Sequence, residues 1–549
     1  MEQRNLLVAI ALSFLVFFLW NVLFSPKPET DKKDAVGAGE ETAMAPVRKN
    51  SSESTAEAPP IIPQAQPMRT SQAARNLKID TPLYTMTVTE QGAAVKSMVL
   101  KKYREKVDED SQAKEILPQD LPGGTVLLSS SGSLGKSLET AFFQHDQTTD
   151  ALEVFSQPLQ VSFRTILENG IQVEKAFTFT PDSYLVNLDV TLYNGSDQVI
   201  TDQMGLVLQQ IVNPSSGYGF EGPSGLINNS LEQVSVKDIS DKDTIEGKIK
   251  WVAIETHYFM SSLIAGEPSD AKMIMAQAGK VVRNQLVFNT GELMPKQNKT
   301  LSADLYIGPK SLEELKKLND GLDRAIDFGW FDFIAKPCLW FMNFLYGIIP
   351  NYGVAIIILT IITRLIFWPL AAKSYKSMGE MRKIQPLMQE IREKHKNDKT
   401  KMNQEMMALY RTYKINPMGG CLPMLIQLPV FFALYRMLYQ AIELRHAPFI
   451  WWIDDLSAPD RLFQFGFAIP FMDPPYGIPV LTLVMGATMF LQQKMTPSPG
   501  DPTQAKMMML MPIVFTFIFI NFSSGLVLYW MVSNILSIAQ QYYTQKKTA

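Results

Sequence analysis

Arg364 is the residue whose placement says most about chemistry. It lies within IIILTIITRLIFWPL, part of the apolar span Tyr352–Ala372, roughly 20 Å along a helix from that span's outer end at ~1.5 Å per residue. A mid-membrane arginine costs on the order of 2.5–3.5 kcal/mol even on a lenient insertion scale. A carboxylate would offset that cost, but the other downstream apolar segments contain no Asp or Glu: Cys421–Ala441, Ile478–Gln493, Met507–Phe522 and Gly525–Gln541. Water, neutral polar side chains or a transient acidic partner must do so instead. Thr360 shares the arginine's face one turn earlier, and Gln427, Gln492, Asn521, Ser533 and Asn534 supply neutral polar groups from other segments. This pattern predicts a wet, positively charged cavity open toward the nearer side of the membrane, whose chemistry is the reception of negative charge. Snorkelling of Arg364 to nearby headgroups is the alternative, feasible so close to Pro369 and Lys373. Arg436 lies near the outer end of its segment, where snorkelling suffices.

Covalent and metal chemistry find little support. Two cysteines, Cys338 and Cys421, exclude a disulfide framework. Four scattered histidines argue against a His-based metal site, and no phosphate-binding Gly-Lys motif occurs. Glu255 and His257 could pair as acid and base, but their spacing equally lets both line one face of a strand. No catalytic residue, metal or cofactor is expected.

The elements that position Arg364 follow from hydropathy and charge. The 549 residues carry a formal charge of −3, which conceals an asymmetry. From Phe328 onward there are 20 Lys+Arg and 12 Asp+Glu; the preceding 327 residues hold 31 and 42. An acidic, polar half thus precedes a basic, apolar one. That excludes a single soluble domain, a disordered chain and a general nucleic-acid binder. Leu6–Phe24 is long enough to span about 30 Å of hydrocarbon. A cleavable signal peptide is the alternative, but the run is long and ends in Leu-Phe-Ser-Pro, which favours an uncleaved anchor over residues 1–24. Tyr352–Ala372 and the four segments above complete six spans. Residues Lys373–Met418 hold eleven basic against five acidic residues, whereas Glu443–Gly477 holds two against five. The first segment is therefore cytoplasmic and the second external, with both termini inside.

Between the anchor and the later spans, residues 25–76 read as a disordered linker rich in Pro, Ala, Ser and Glu. Residues 77–327 form a domain of period-two strands ending in a leucine-spaced helix (Leu312, Leu315, Leu318, Leu322). Tyr84, Met86 and Val88 alternate with threonines, and Tyr184–Leu192 alternates up to a hairpin signal at Asn194-Gly195. An all-β sandwich or a pair of packed sheets is expected. Aromatic-rich residues 328–350 suit an interfacial amphipathic helix, or else a core helix of the β domain. Residues 351–543 then form the five-helix core, and 544–549 a short basic tail. Within the core, 373–418 reads as a cytoplasmic helical hairpin with methionines Met378, Met381, Met402 and Met406 on its faces. Pro386 is expected to kink its first helix, Ser374–Lys396. A methionine face can adapt to varied apolar partners or simply fill gaps; composition leaves both open.

Longer motifs carry a resemblance. MRKIQPLMQEIREKHKND, KMNQEMMALYRTYKINPMGGCLPMLIQLPVFFALYRML, ELRHAPFIWWIDDLSAPD and SSGLVLYWMVSNILSIAQQ, covering about Trp330–Tyr543, resemble the YidC/Oxa family of membrane-protein insertases. GKIKWVAIETHYFM and LVFNTGELMPKQNKTLSADLYIGPK resemble the large periplasmic domain of the family's Gram-negative form. The resemblance implies a bacterial inner-membrane protein, polytopic and α-helical, with a periplasmic β-super-sandwich. It implies insertion and folding of nascent inner-membrane proteins, alone or beside the Sec translocon, with ribosome and targeting machinery as further partners and the lipid bilayer as medium. A hydrophilic groove closed to the outside would hold Arg364 and Thr360, with Gln427, Asn534 and Trp530 as further candidates. A client's apolar segment would slide along the third and fifth spans, at Cys421, Met424, Pro429, Phe431 and Met437 and at Met511 and Phe515. Two departures stand out. Tyr529-Trp530 replaces a common tyrosine pair, and the tail after Tyr543 is short where some relatives use a long basic tail to hold ribosomes. A transporter or channel would also explain a buried arginine, but no internal repeat supports one. An envelope-carbohydrate enzyme would need a clustered acid and base.

Overall fold

The computed structural model describes residues 74–548 other than 109, 133, 213–218, 414–421 and 497–501. At 135–137, 267–269, 399, 422–426, 502–505 and 547–548 it describes the backbone alone. The expected anchor, nearly all of the expected linker, and Cys421 lie outside the described residues.

Period-two alternation produces strands from Asn76 to Pro309. A five-stranded sheet runs Ala113–Leu117, Ala94–Arg104, Tyr84–Thr89, Asn76–Asp80, Ala151–Glu153. Its register sets Leu77 opposite Val88 and Ile79 opposite Met86, so these side chains enter the core together. In a twelve-stranded sheet, Leu185–Asn194 lies between Ile171–Phe179 and Asn298–Pro309, burying Val186, Leu188 and Val190. The Asn194-Gly195 signal ends this strand but does not make a hairpin with the next one, Met204–Ile211, which pairs elsewhere. The Asn194 amide instead donates to the carbonyls of Gln198 and Leu293, at 2.7 and 3.0 Å, steering the chain away. Lys175 joins the layers: its fully buried ammonium donates to the carbonyls of Gly92, Ala93 and Val126 at 3.2, 2.7 and 2.7 Å. Two short helices belong to this region, α1 (Gly135–Thr140) and α2 (Leu312–Lys317).

The chain then becomes helical: α3 (Asp332–Ile348), α4 (Tyr352–Lys383), α5 (Gln385–Lys394), α6 (Lys399–Thr412), α7 (Leu422–Gln440), α8 (Val480–Met495), α9 (Pro502–Phe519) and α10 (Ser524–Thr548). Among the described residues, α4 is long and apolar enough to cross a membrane, and Lys506–Phe519 is a shorter apolar helix. Helix α3 is amphipathic: Ala335, Leu339 and Met342 are buried toward α4 and α7, while Trp330, Phe333, Trp340 and Phe344 are exposed beside and along it. Its buried face therefore belongs to the helical region rather than to the β core.

The hairpin differs from expectation in two respects. Helix α4 continues unbroken past Ala372 to Lys383, so the hairpin's first arm begins as an extension of that apolar helix. The break falls at Ile384, and Pro386 sits in the first turn of α5, where a missing N–H costs nothing, instead of kinking a longer helix. Met381 and Met406 pack with Leu409 and Tyr410 on the buried pair Ile384 and Met388, closing the two arms on each other. Met378 and Met402 are half-buried.

The loop between α7 and α8 closes over helix ends. Asp460 accepts from Leu481 N at 2.7 Å and Thr482 Oγ1 at 3.1 Å, capping α8 where its free amides and dipole favour an anion. Buried Arg461 donates to the carbonyls of Pro475 and Ile520, both at 2.9 Å, and to Asn521 Oδ1 at 3.3 Å. Ser524 N bonds Ala458 O at 2.8 Å and Gly525 N bonds Leu456 O at 2.9 Å, holding the start of α10 to the same loop.

Candidate functional site

Helix α10 builds the polar seam that receives Arg364. Its positions 533, 534, 537, 540 and 541 recur at helical spacing, and Ser533, Asn534, Ser537, Gln540 and Gln541 are all buried. Arg364 Nε, from α4, donates to Ser533 Oγ at 3.0 Å, and a second guanidinium nitrogen bonds the same hydroxyl. One helical turn and more toward the hairpin, Gln540 Nε2 donates to Trp368 O at 3.0 Å. The same stripe reaches α8: Asn534 Nδ2 approaches Thr488 Oγ1 at 3.4 Å, and Gln541 Nε2 donates to Met495 O at 3.0 Å. Three helices thus meet along neutral hydrogen-bonding groups.

Thr360 is fully buried one turn before Arg364, its hydroxyl donating to Ile356 O at 2.6 Å. That bond occupies the hydroxyl's proton, and the burial places Thr360 in the packing beneath Arg364 rather than on an open surface. Gln427 is half-buried, and Tyr529 lies near both Gln427 and Arg364. The structure therefore gathers Arg364, Ser533, Tyr529 and Gln427. Asn534 belongs to the adjoining contact with α8.

Trp530 falls on another face. Its ring packs edge-on against Phe431 of α7 at 4.7 Å and Phe519 of α9 at 4.6 Å, with Phe515 at 6.3 Å. The expected grouping of Trp530 with the charged residues is replaced by an aromatic cluster joining two of the expected apolar contact residues, Phe431 and Phe515. Pro429 is exposed and Met511 is 40% exposed, so both can meet a partner. Met437 is fully buried and serves as core in this arrangement, because its face of α7 turns inward. For Met424 the helix is described but not the side chain. On α4, Leu365 and Ile366 project outward next to Arg364, 59% and 65% exposed, so a wide apolar surface flanks the charge.

Ser533, one of several neutral candidates in the sequence, is the arginine's partner, and Ser537, Gln540 and Gln541 extend the seam beyond the residues expected from sequence. Their spacing on an otherwise apolar segment was the available signal. The Glu255–His257 pair does not form an acid–base set: Glu255 is 3.2 Å from Lys310 Nζ, whereas His257 Nε2 lies 2.9 Å from Tyr439 O.

Comparisons with known proteins cover both halves. A family model described as 60Kd inner membrane protein matches residues 344–549, and one described as YidC periplasmic domain matches residues 76–341. A membrane protein insertase YidC from Syntrophobacter fumaroxidans is 43% identical, covering 100% of both chains. Another from Syntrophus aciditrophicus is 40% identical over 99% of this chain and 100% of that one. Among solved structures, an active YidC insertase with its first transmembrane domain resolved is 18% identical, with a TM-score of 0.37 over 86% of this chain and 93% of that one.

Proposed function

The chain belongs to the YidC family of inner-membrane proteins, and on that premise we propose that it inserts transmembrane segments of other proteins into the bilayer and assists their folding. The family is not enzymatic, and nothing covalent is required. The observation that carries the reading is the seating of Arg364, a permanent cation next to outward-facing Leu365 and Ile366, held among the described residues by a neutral hydroxyl rather than by a carboxylate.

A client's short polar flank, acidic in many cases, enters from the cytoplasmic side and lies near Arg364, Thr360 and Gln427. Coulomb attraction to the guanidinium lowers the cost of bringing a carboxylate into a low-dielectric region. The client's apolar segment meanwhile moves along α7 and α9, over Pro429, Phe431, Met511 and Phe515 around the Trp530 cluster. The outer loop, sewn to the helix ends by Asp460 and Arg461, limits ion leakage. Helices α4 and α7–α10, with Leu6–Phe24, form six spans with both termini in the cytoplasm. The hairpin meets the nascent chain, the ribosome or targeting machinery, and the Sec translocon acts beside the protein for some clients. Charge supports this orientation: the hairpin is strongly basic, while the loop between α7 and α8 is acidic.

Reconstitution tests the reading. Purified protein in liposomes should promote insertion of a small two-span client bearing an acidic N-terminal flank, scored by protease protection. Insertion no greater than in empty liposomes would refute it.

A further inference from the structure

Helix α7 ends at Gln440 against the β region, and the last carbonyls of any helix lack donors within it. Tyr439 contributes one of them, and the donor comes from 182 residues away in sequence: His257 Nε2, at 2.9 Å. The partner is a carbonyl, so the imidazole carries its proton on Nε2. Burial holds this imidazole below its ordinary pKa, which favours the neutral ring. The ring lies against Tyr258, with centroids 4.0 Å apart, and against Tyr439 at 4.8 Å. Backbone bonds from Thr256 N to Phe259 O and from Lys310 N to Tyr258 O, 2.9 and 2.8 Å, fix the loop that presents it.

Two further contacts secure the same end. Ser311 Oγ donates to Glu443 Oε1 at 3.3 Å. Arg445 Nη2 donates to the carbonyls of Arg104 and Glu105 at 2.7 and 3.2 Å, its guanidinium 5.6 Å from the Phe259 ring. The two halves of α7 differ accordingly. Around Pro429, which removes an internal hydrogen bond, Leu428 and Pro429 are exposed; toward the β region Ala433, Leu434, Met437 and Leu438 are buried. From the capped end an aromatic series descends through Tyr439, Tyr435 and Phe431 to Trp530, with successive centroids 6.3, 6.1 and 4.7 Å apart.

We infer that the β region serves the helical core as a C-terminal cap on α7, with His257 as a positioning residue that holds the outer half of this helix fixed while a client passes its inner half. This rests on the insertase reading and assigns the β region a mechanical part in it. His257 touches no client; it acts through the Tyr439 carbonyl.

The test uses the full chain in proteoliposomes and two readouts, amide hydrogen exchange across residues 436–444 and client insertion. In His257→Phe the ring stack survives but the donor is lost. Exchange across 436–444 should quicken about fivefold, the factor for a net hydrogen bond of about 1 kcal/mol, with insertion falling by a similar factor. His257→Gln, which restores an N–H donor, should recover both, as a merely space-filling role would not require. Ser311→Ala, which leaves His257 in place, should quicken exchange at 441–444 and supplies the test if His257→Phe fails to fold. Unchanged exchange in His257→Phe, or His257→Gln behaving like His257→Phe, would overturn the cap. Were the wild type itself inactive in insertion, the insertase reading would fail while the exchange arm still decided whether the cap exists.

Discussion

One buried and one half-buried cation show how differently this protein treats a charge. Lys175 has three N–H donors and three carbonyls around them, and burial draws its ammonium down to about 7. Nothing of its hydrogen-bonding capacity is left for a partner. The guanidinium of Arg364 has five N–H donors in a rigid fork, and among the described residues its hydrogen-bond partner is a single hydroxyl, Ser533 Oγ. Lys175 is a fastener; the role proposed for Arg364 is to receive charge. Replacing Arg364 by Ala should lower insertion of an acidic-flanked client roughly tenfold, equivalent to about 1.4 kcal/mol of lost attraction, with a neutral-flanked client changed by less than about twofold. Parallel insertion assays on the two clients check this, and equal losses would count against a charge-receiving groove. The cost of placing Arg364 was legible in the sequence because a cation in an apolar run is costly wherever the helix packs. Its bond to Ser533 was not, since several neutral residues on different segments could have met it.

Helices depend on contacts that hydropathy does not reveal. Apolarity placed the starts of α4 and α7–α10 to within about five residues, but α4 and α10 continue eleven and seven residues beyond the expected ends, and apolarity could not say which face of each points inward. Met437 and Phe431 lie on the same helix, but one is core and the other joins the Trp530 cluster. The hairpin methionines show the same limit: their stripe was readable, whereas its closure onto Ile384 and Met388 required the second arm to fold back. Helix ends are set by distant side chains, as at Asp460 on α8. Asp460→Ala removes the acceptor of Leu481 N and Thr482 Oγ1 and should cost about 1–2 kcal/mol. Hydrogen exchange in the first turn of α8 should quicken by the corresponding factor, with the far turns of that helix unaffected. Exchange that stays at the wild-type rate would remove Asp460 from this role.

For the whole molecule, the question is how an acidic β region and a basic helical region share the work. If the groove does the inserting and the β region only caps α7, deleting residues 77–309, which removes His257 and also the Arg104 and Glu105 carbonyls that hold Arg445, should weaken insertion more than His257→Phe does yet leave it well above empty liposomes. Complete loss, with the shortened protein still folded in the membrane, would place the activity elsewhere. The division into strands and helices came from the sequence alone, because period-two and long apolar patterns are local properties of neighbouring residues. Charge separation between the two halves, the missing carboxylate for Arg364 and the family motifs were equally local. The tertiary structure alone decided that Ser533 holds the arginine, that Trp530 turns toward Phe431 and Phe519, and that His257 reaches Tyr439 across 182 residues. Those pairings depend on how the helices rotate and where the sheets dock, and side-chain type and spacing along one segment do not set either.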